Sequence, residues 1–107
     1  MKEEVLKFIN VFTESSCNNG YVRYLKRDVI ELFDNKCSYW FAHILFRRFI
    51  MQNAEIMCDI QRKHFGARIN GRIYDIRGDV TYWYSWSEWN NIDEITKSKL
   101  SKEYIMF

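Results

Sequence analysis

An Asn-Gly dipeptide at positions 70 and 71 is the feature that most restricts how this chain can fold. Both residues tolerate the positive φ angles of a type I′ turn, which joins two antiparallel strands through two residues. The flanking segments HFGARI and RIYDIR contain aromatic and β-branched residues of the kind found in strands. The dipeptide therefore predicts a tight hairpin in which Ile69 pairs with Arg72.

The register of this hairpin predicts that two titratable side chains meet. Counting outward from the turn places Gly66 opposite Asp75 and His64 opposite Arg77. Because side chains alternate between the two faces of a sheet, these residues and Ile73 share one face. Diagonal neighbours on one face lie about 7–8 Å apart, so the imidazole can reach the carboxylate. A glycine in mid-strand often marks a close approach, and here we expect it to leave the space between the two side chains open.

The periodicity of the apolar residues predicts helices first and strands later. Helical spacing covers residues 2–13, 22–33 and about 37–53, with Asp34 or Asn35 as the N-cap of the third helix. Short segments rich in β-formers follow at 54–60, 64–69, 72–77 and 79–86, and a last helix is capped near Asp93. This order predicts an α+β fold with N-terminal helices packed on a small, mainly antiparallel sheet of about four strands. The hairpin face opposite His64 is the more apolar one, which conflicts with a buried His64 unless the sheet is curved and covered on both sides.

Composition limits the class of protein. The 107 residues include no proline, and the sequence has no glycine- or serine-rich linker, which predicts a single domain over residues 1–107. The net charge of +2 does not by itself indicate a polyanionic partner. No segment is typical of a signal peptide or a membrane span. Three cysteines without CxxC spacing argue against a zinc site or a disulfide framework, so we expect a cytoplasmic protein without metal or cofactor and without membrane contact.

Cys37 stands where the third helix is predicted to begin, one turn ahead of its apolar stripe. The unpaired N–H groups and the dipole of a helix N-terminus favour a thiolate, and an adjacent imidazolium favours it further. Cys37 as nucleophile, His64 as base and Asp75 as the acid that orients the base would have the three roles of a catalytic triad. The alternative for Cys37 is a small core residue. The other cysteines and the second histidine are expected to be structural: Cys17, Cys58 and His43.

The order of a cysteine opening a helix, a histidine on a strand and an aspartate on the next strand resembles the papain-like cysteine-protease superfamily, most closely its transglutaminase-like branch. Segment 35–78 is also similar to short bacterial and phage proteins with a Cys-x-x-Phe-Ala … His-Phe … Tyr-Asp-Ile-x-Gly pattern. Cys37 and Phe41 stand one residue further apart than in that pattern. The resemblance implies a papain/transglutaminase-like fold and a thiol hydrolase or acyl transferase acting on an amide or ester bond. The matching positions are Ala42, His64, Phe65, Tyr74, Asp75, Ile76 and Gly78.

The aromatic segment TYWYSWSEW at 81–89 supports a second hypothesis. Trp83, Trp86 and Trp89 could bind a peptide substrate or a protein partner, although the segment could equally be an edge strand that closes the core. Without turnover, the chain would be a phage- or mobile-element-type inhibitor or adaptor that binds a host protein, for example a defence-system component. Nucleic-acid binding is disfavoured because the arginines near the hairpin lack a surrounding basic field.

Overall fold

The computed structural model describes residues 2–17, 26–35 and 37–105. The helices are α1 (Lys2–Cys17), α2 (Lys26–Asn35), α3 (Ser38–Arg48) and α4 (Glu94–Leu100). The strands are β1 (Glu55–Asp59), β2 (His64–Ile69), β3 (Arg72–Asp75), β4 (Gly78–Asp79) and β5 (Ser87–Glu88). Short 3-10 turns at Ile50–Gln52 and Trp89–Asn91 and a π-helical turn at Ser101–Ile105 complete the described chain. The predicted α+β class is confirmed.

The five strands form one antiparallel sheet in the order β4-β3-β2-β1-β5. The predicted number of about four strands was too low, because the sheet has two edge strands of only two residues each. At the β2–β3 hairpin Ile69 pairs with Arg72 and Ala67 with Tyr74, as the turn predicted. Asn70 and Gly71 both have positive φ, 53° and 85°, as a type I′ turn requires.

Helix boundaries also differ from the predictions. Helix α1 continues to Cys17, beyond the predicted end at residue 13, and α3 ends at Arg48 before a 3-10 turn rather than near residue 53. The N-cap of α3 is Cys37 itself, without a side-chain capping bond, and neither Asp34 nor Asn35 takes that role because both still belong to α2. The predicted start of the second helix at residue 22 lies outside the described residues.

Both faces of the sheet are covered. On one face Phe41 and Leu45 of α3 and Val5 of α1 pack against Ala67 and Tyr74 of the hairpin, and all five side chains are buried. On the same face Phe65 packs with Cys58, Ala42 and Leu100 of α4. On the other face Met57 and Ile73 pack under Val80, Tyr84 and Trp86 of the segment that follows β4. Both layers exclude water from the middle of β2.

The predicted strand at 79–86 is wrong beyond Asp79. The Asp79 carboxylate accepts hydrogen bonds from the backbone N–H and the hydroxyl of Thr81, at 3.1 and 2.6 Å, and so turns the chain out of the sheet. The backbone N–H of Ile73 then bonds to the Thr81 hydroxyl instead of a strand carbonyl. Because the ladder ends here, residues 80–86 fold back as a loop across the sheet.

None of the helices in the described part of the chain has the length and apolar character to cross a bilayer.

Candidate functional site

The hairpin brings His64 and Asp75 into direct contact. The Nε2 atom of His64 lies 2.7 Å from Oδ2 of Asp75, and the two residues are only 5% and 2% exposed. The other carboxylate oxygen accepts the backbone N–H of Arg77 at 2.7 Å, which fixes the orientation of the carboxylate. Since a carboxylate only accepts hydrogen bonds, Nε2 carries the shared hydrogen and Nδ1 is the ring nitrogen left to exchange a proton.

A second carboxylate, Asp34 at the end of α2, also faces the imidazole. Its Oδ1 atom lies 3.7 Å from Nε2 of His64, and its Oδ2 atom accepts a hydrogen bond from Nε of Arg77 at 2.8 Å. Oδ1 is buried and has no hydrogen-bond partner among the described residues. Two carboxylates thus lie beside the imidazole, and the Arg77 guanidinium bonds to one of them, Asp34. Sequence reasoning missed this role because it depends on how α2 packs beside the sheet.

Cys37 lies at the junction between the helices and the start of β2. It is half-buried and in no disulfide, its N–H donates to the Leu32 carbonyl at 3.0 Å, and its own carbonyl accepts from Phe41 at 3.1 Å. The next residue, Ser38, accepts the backbone N–H of Phe65 at 3.2 Å through its hydroxyl. Because Ser38 bonds to the residue after His64, the opening of α3 is held beside the imidazole strand. Ser38 thus ties the opening of α3, which packs on the Phe65 face of the sheet, to the residue that follows His64.

Aromatic side chains cover the imidazole on its own face of the sheet. The Tyr84 ring stacks on the His64 imidazole with centroids 4.5 Å apart and an interplanar angle of 21°, and Trp86 lies 5.9 Å from the same ring. A Cβ atom on Gly66 would come within 3.1 Å of the Trp86 ring. The expectation that Gly66 leaves an open space was wrong, because the indole of Trp86 occupies it. The burial of Tyr84 and the nearby carboxylates raise the pKa of its hydroxyl.

Gly66→Ala is expected to destabilise the protein by about 1–3 kcal/mol, since the new methyl would meet the Trp86 ring, a Tyr74 carbonyl and an Ile73 methyl, each at 3.1 Å. Urea unfolding followed by tryptophan fluorescence measures this loss. Gly71→Ala is the contrasting variant, because its methyl would meet no atom within 4 Å and its cost comes from a φ of +85° alone. It should leave the native fluorescence spectrum unchanged. A Gly66→Ala protein that unfolds at the wild-type urea concentration would contradict this packing.

The three tryptophans predicted to bind a partner lie in different surroundings. Trp83 is 56% exposed, next to Tyr82 at 84%. Trp86 is half-buried and donates from Nε1 to the Val80 carbonyl at 3.2 Å. Trp89 packs against Phe65, on the opposite face of the sheet, with ring centroids 5.2 Å apart. Their role in binding stays a prediction, and of the three Trp83 offers the most accessible ring.

The other candidate residues have structural surroundings. Cys58 is fully buried, and burial raises the pKa of its thiol to about 12, with the Asp59 carboxylate adding to the shift. His43 is half-buried and stacks between Tyr39 and Phe46 on α3. The side chain of Cys17 lies outside the described residues. Cys58 is thus held as a neutral thiol at physiological pH, unsuited to nucleophilic chemistry.

Asp34, His64 and Asp75 also offer three potential metal ligands, with one atom from each within 4.8 Å of the others. Two carboxylates and an imidazole are ligand types that zinc and manganese accept. Arg77 already engages both carboxylates, Asp34 through its side chain and Asp75 through its backbone N–H. A metal ion would have to sit beside that guanidinium charge, so the geometry favours a hydrogen-bonded cluster over a metal centre.

Comparison with models of known protein families, with curated proteins and with solved structures finds no match for this chain.

Proposed function

We propose that the protein is a small thiol hydrolase or acyl transferase of papain/transglutaminase-like type, with Cys37 as nucleophile, His64 as base and Asp75 as orienting acid. The observation that supports this most is the buried 2.7 Å contact between His64 and Asp75 beside the helix that Cys37 opens. A buried imidazole fixed through Nε2 presents Nδ1 for proton exchange, which is the arrangement a thiol nucleophile needs. The proposed setting is the cytoplasm, with a protein or peptide substrate.

The chemistry follows from these roles. His64 takes the thiol proton of Cys37, and the sulfur forms a bond to the substrate carbonyl carbon while the carbonyl electron pair moves to oxygen. Backbone N–H groups in the first turn of α3 can stabilise that oxyanion. When the tetrahedral adduct collapses, the amine or alcohol leaves with the proton from His64, and a thioester remains on Cys37. Water or an acceptor amine then attacks the thioester, with His64 again as base.

Asp34 and Arg77 have a supporting role in this proposal. The Asp34 carboxylate, held by Arg77 at 2.8 Å, places a second negative charge near the imidazole. Such a charge stabilises the imidazolium that forms when Cys37 gives up its proton. Because Asp34 acts through His64 rather than on substrate, it is a positioning residue. The proposed cluster therefore comprises one thiol, one imidazole, two carboxylates and one guanidinium.

Incubation with an activated ester such as p-nitrophenyl acetate is expected to release nitrophenol and leave an acetyl group on Cys37. Mass spectrometry of the digested protein locates the adduct, and the nitrophenol absorbance gives the rate. We expect Cys37→Ser to lower the rate to background and His64→Ala to lower it by about 100-fold, the usual effect of losing a general base. Cys58→Ser is the matched control and should retain the wild-type rate. Acetylation spread over lysines, with Cys37 unmodified, would overturn the proposal.

A second candidate function is that of a binding protein without turnover, a phage- or mobile-element-type inhibitor or adaptor of a host protein. The exposure of Tyr82 and Trp83 on the loop after β4 favours it, because large exposed aromatic rings supply contact area at low entropic cost. The guanidinium of Arg72 lies over the Tyr82 ring at 5.4 Å and keeps that ring oriented. An inert Cys37 in the ester experiment would leave this binding role as the stronger candidate.

A further inference from the structure

A cleft of about 390 Å³ lies between α1, α2 and the turn that joins β3 to β4. Its floor is apolar and comprises Ile9, Ile30 and Ile76, with Leu6 at the rim. A volume of this size lies within the range of pockets that hold small ligands or a single side chain. The cleft shares Arg77 with the cluster around His64, so the two sites adjoin.

The polar groups at this cleft suit an anionic ligand. Arg77 uses Nε to bond Asp34, whereas its two terminal nitrogens bond to no described residue and its side chain is 44% exposed. A guanidinium fork of this kind binds a carboxylate through two parallel hydrogen bonds. Asn10 on α1 adds an exposed amide to the lining of the same cleft. The hydroxyl of Thr13 is already donated to the Ile9 carbonyl at 2.9 Å.

We infer that this cleft binds the C-terminal residue of a peptide, with an apolar side chain on the isoleucine floor and the α-carboxylate on the terminal nitrogens of Arg77. A peptide end combines the three groups that the cleft can receive: an apolar side chain, a carboxylate, and an amide within reach of Asn10. The exposed ring of Trp83 at the edge of the cleft can cover the bound residue. This inference rests on the proposed function, since it names peptides with a free C-terminus as the substrate class of the thiol site.

Binding can be measured without turnover by titrating the Cys37→Ala protein with N-acetyl-Leu-Phe, as the free acid and as its C-terminal amide, in a calorimeter. The free acid is expected to bind about tenfold more tightly, since a partly exposed guanidinium–carboxylate pair contributes roughly 1–1.5 kcal/mol. Asn10→Glu should remove that preference, because it adds a negative charge to the cleft that receives the ligand carboxylate. Asn10→Gln keeps the amide and should bind both peptides as the parent protein does.

Equal affinity for acid and amide, no saturable binding of either, or an unchanged preference in Asn10→Glu would each overturn the peptide-terminus assignment. Arg77→Lys should also lose most of the preference, because a lysine cannot form the two parallel bonds. Acetylation of Cys37 by the small ester does not require this cleft, so the thiol proposal is tested separately.

Discussion

Replacing His64 by alanine is expected to slow the alkylation of Cys37 by iodoacetamide at pH 6 by about tenfold. A free thiol with a pKa near 8.5 is roughly 0.3% thiolate at that pH. An imidazolium partner can raise the thiolate fraction by about two orders of magnitude. Part of this gain is lost because nucleophilicity falls as a thiol becomes more acidic, with a Brønsted coefficient of about 0.4–0.5. The net effect is about tenfold, large enough to measure by quenched labelling and peptide mapping.

The chain supplies its own controls for this experiment. Cys58, fully buried and with its pKa raised to about 12, should stay unlabelled in the native protein and report any unfolded fraction. His43→Ala removes the other histidine, on the helix that Cys37 opens, and should leave the labelling rate unchanged. Equal labelling rates in wild type, His64→Ala and His43→Ala would show that the imidazole does not activate the sulfur.

The hairpin shows which part of this site could be predicted from the sequence. The Asn-Gly turn is a local signal, because two adjacent residues with positive φ fix the loop length and hence the strand register. His64 and Asp75 meet as this register predicted, with only five residues between the histidine and the turn. The predicted pairing of His64 with Arg77 is wrong, because β3 ends at Asp75 and the paired residues end at Ala67 and Tyr74. The residues near the turn were thus enough to predict that these two side chains meet.

The position of Asp34 could not be predicted in the same way. It belongs to a different helix, and 30 residues along the sequence separate it from His64. Nothing in the local pattern distinguishes a helix-terminal aspartate that caps the next helix from one that turns toward a strand. Only the packing of α2 beside the sheet, together with the 2.8 Å contact to Arg77, decides between them.

The aromatic segment at 81–89 shows a second reason why sequence-based prediction fails. Strand propensity correctly marked tyrosine and tryptophan as β-formers, but Asp79 and Thr81 bond to each other and end β4 after two residues. The segment then covers the sheet as a loop, and Trp86 occupies the space over Gly66. Side-chain bonds within a turn therefore outweighed the propensity of the following residues.

Asp75→Ala is expected to lower the free energy of unfolding by about 2–4 kcal/mol, a large part of the 5–15 kcal/mol typical of a small domain. The side chain is 2% exposed and accepts two hydrogen bonds, from His64 and from the backbone N–H of Arg77. Its loss leaves the buried Nε2–H of His64 and the part-buried N–H of Arg77 without this acceptor. Asp34→Ala is the comparison and should cost about 1 kcal/mol or less, because Arg77 is 44% exposed and water can replace its partner. Urea unfolding midpoints with unchanged m-values give both numbers.

Asp75→Asn separates the structural role of this side chain from its role in orienting the imidazole. An asparagine oxygen can still accept the Arg77 N–H, so the stability loss should be about half that of Asp75→Ala. Its NH₂ group then faces Nε2 of His64, which must become the acceptor, and the ring hydrogen moves to Nδ1. That nitrogen can no longer take a proton from Cys37, so ester turnover should fall by up to about 100-fold, as far as in His64→Ala, because the carboxylate acts only through the imidazole. An Asp75→Asn protein that keeps wild-type turnover would show that this carboxylate serves folding alone.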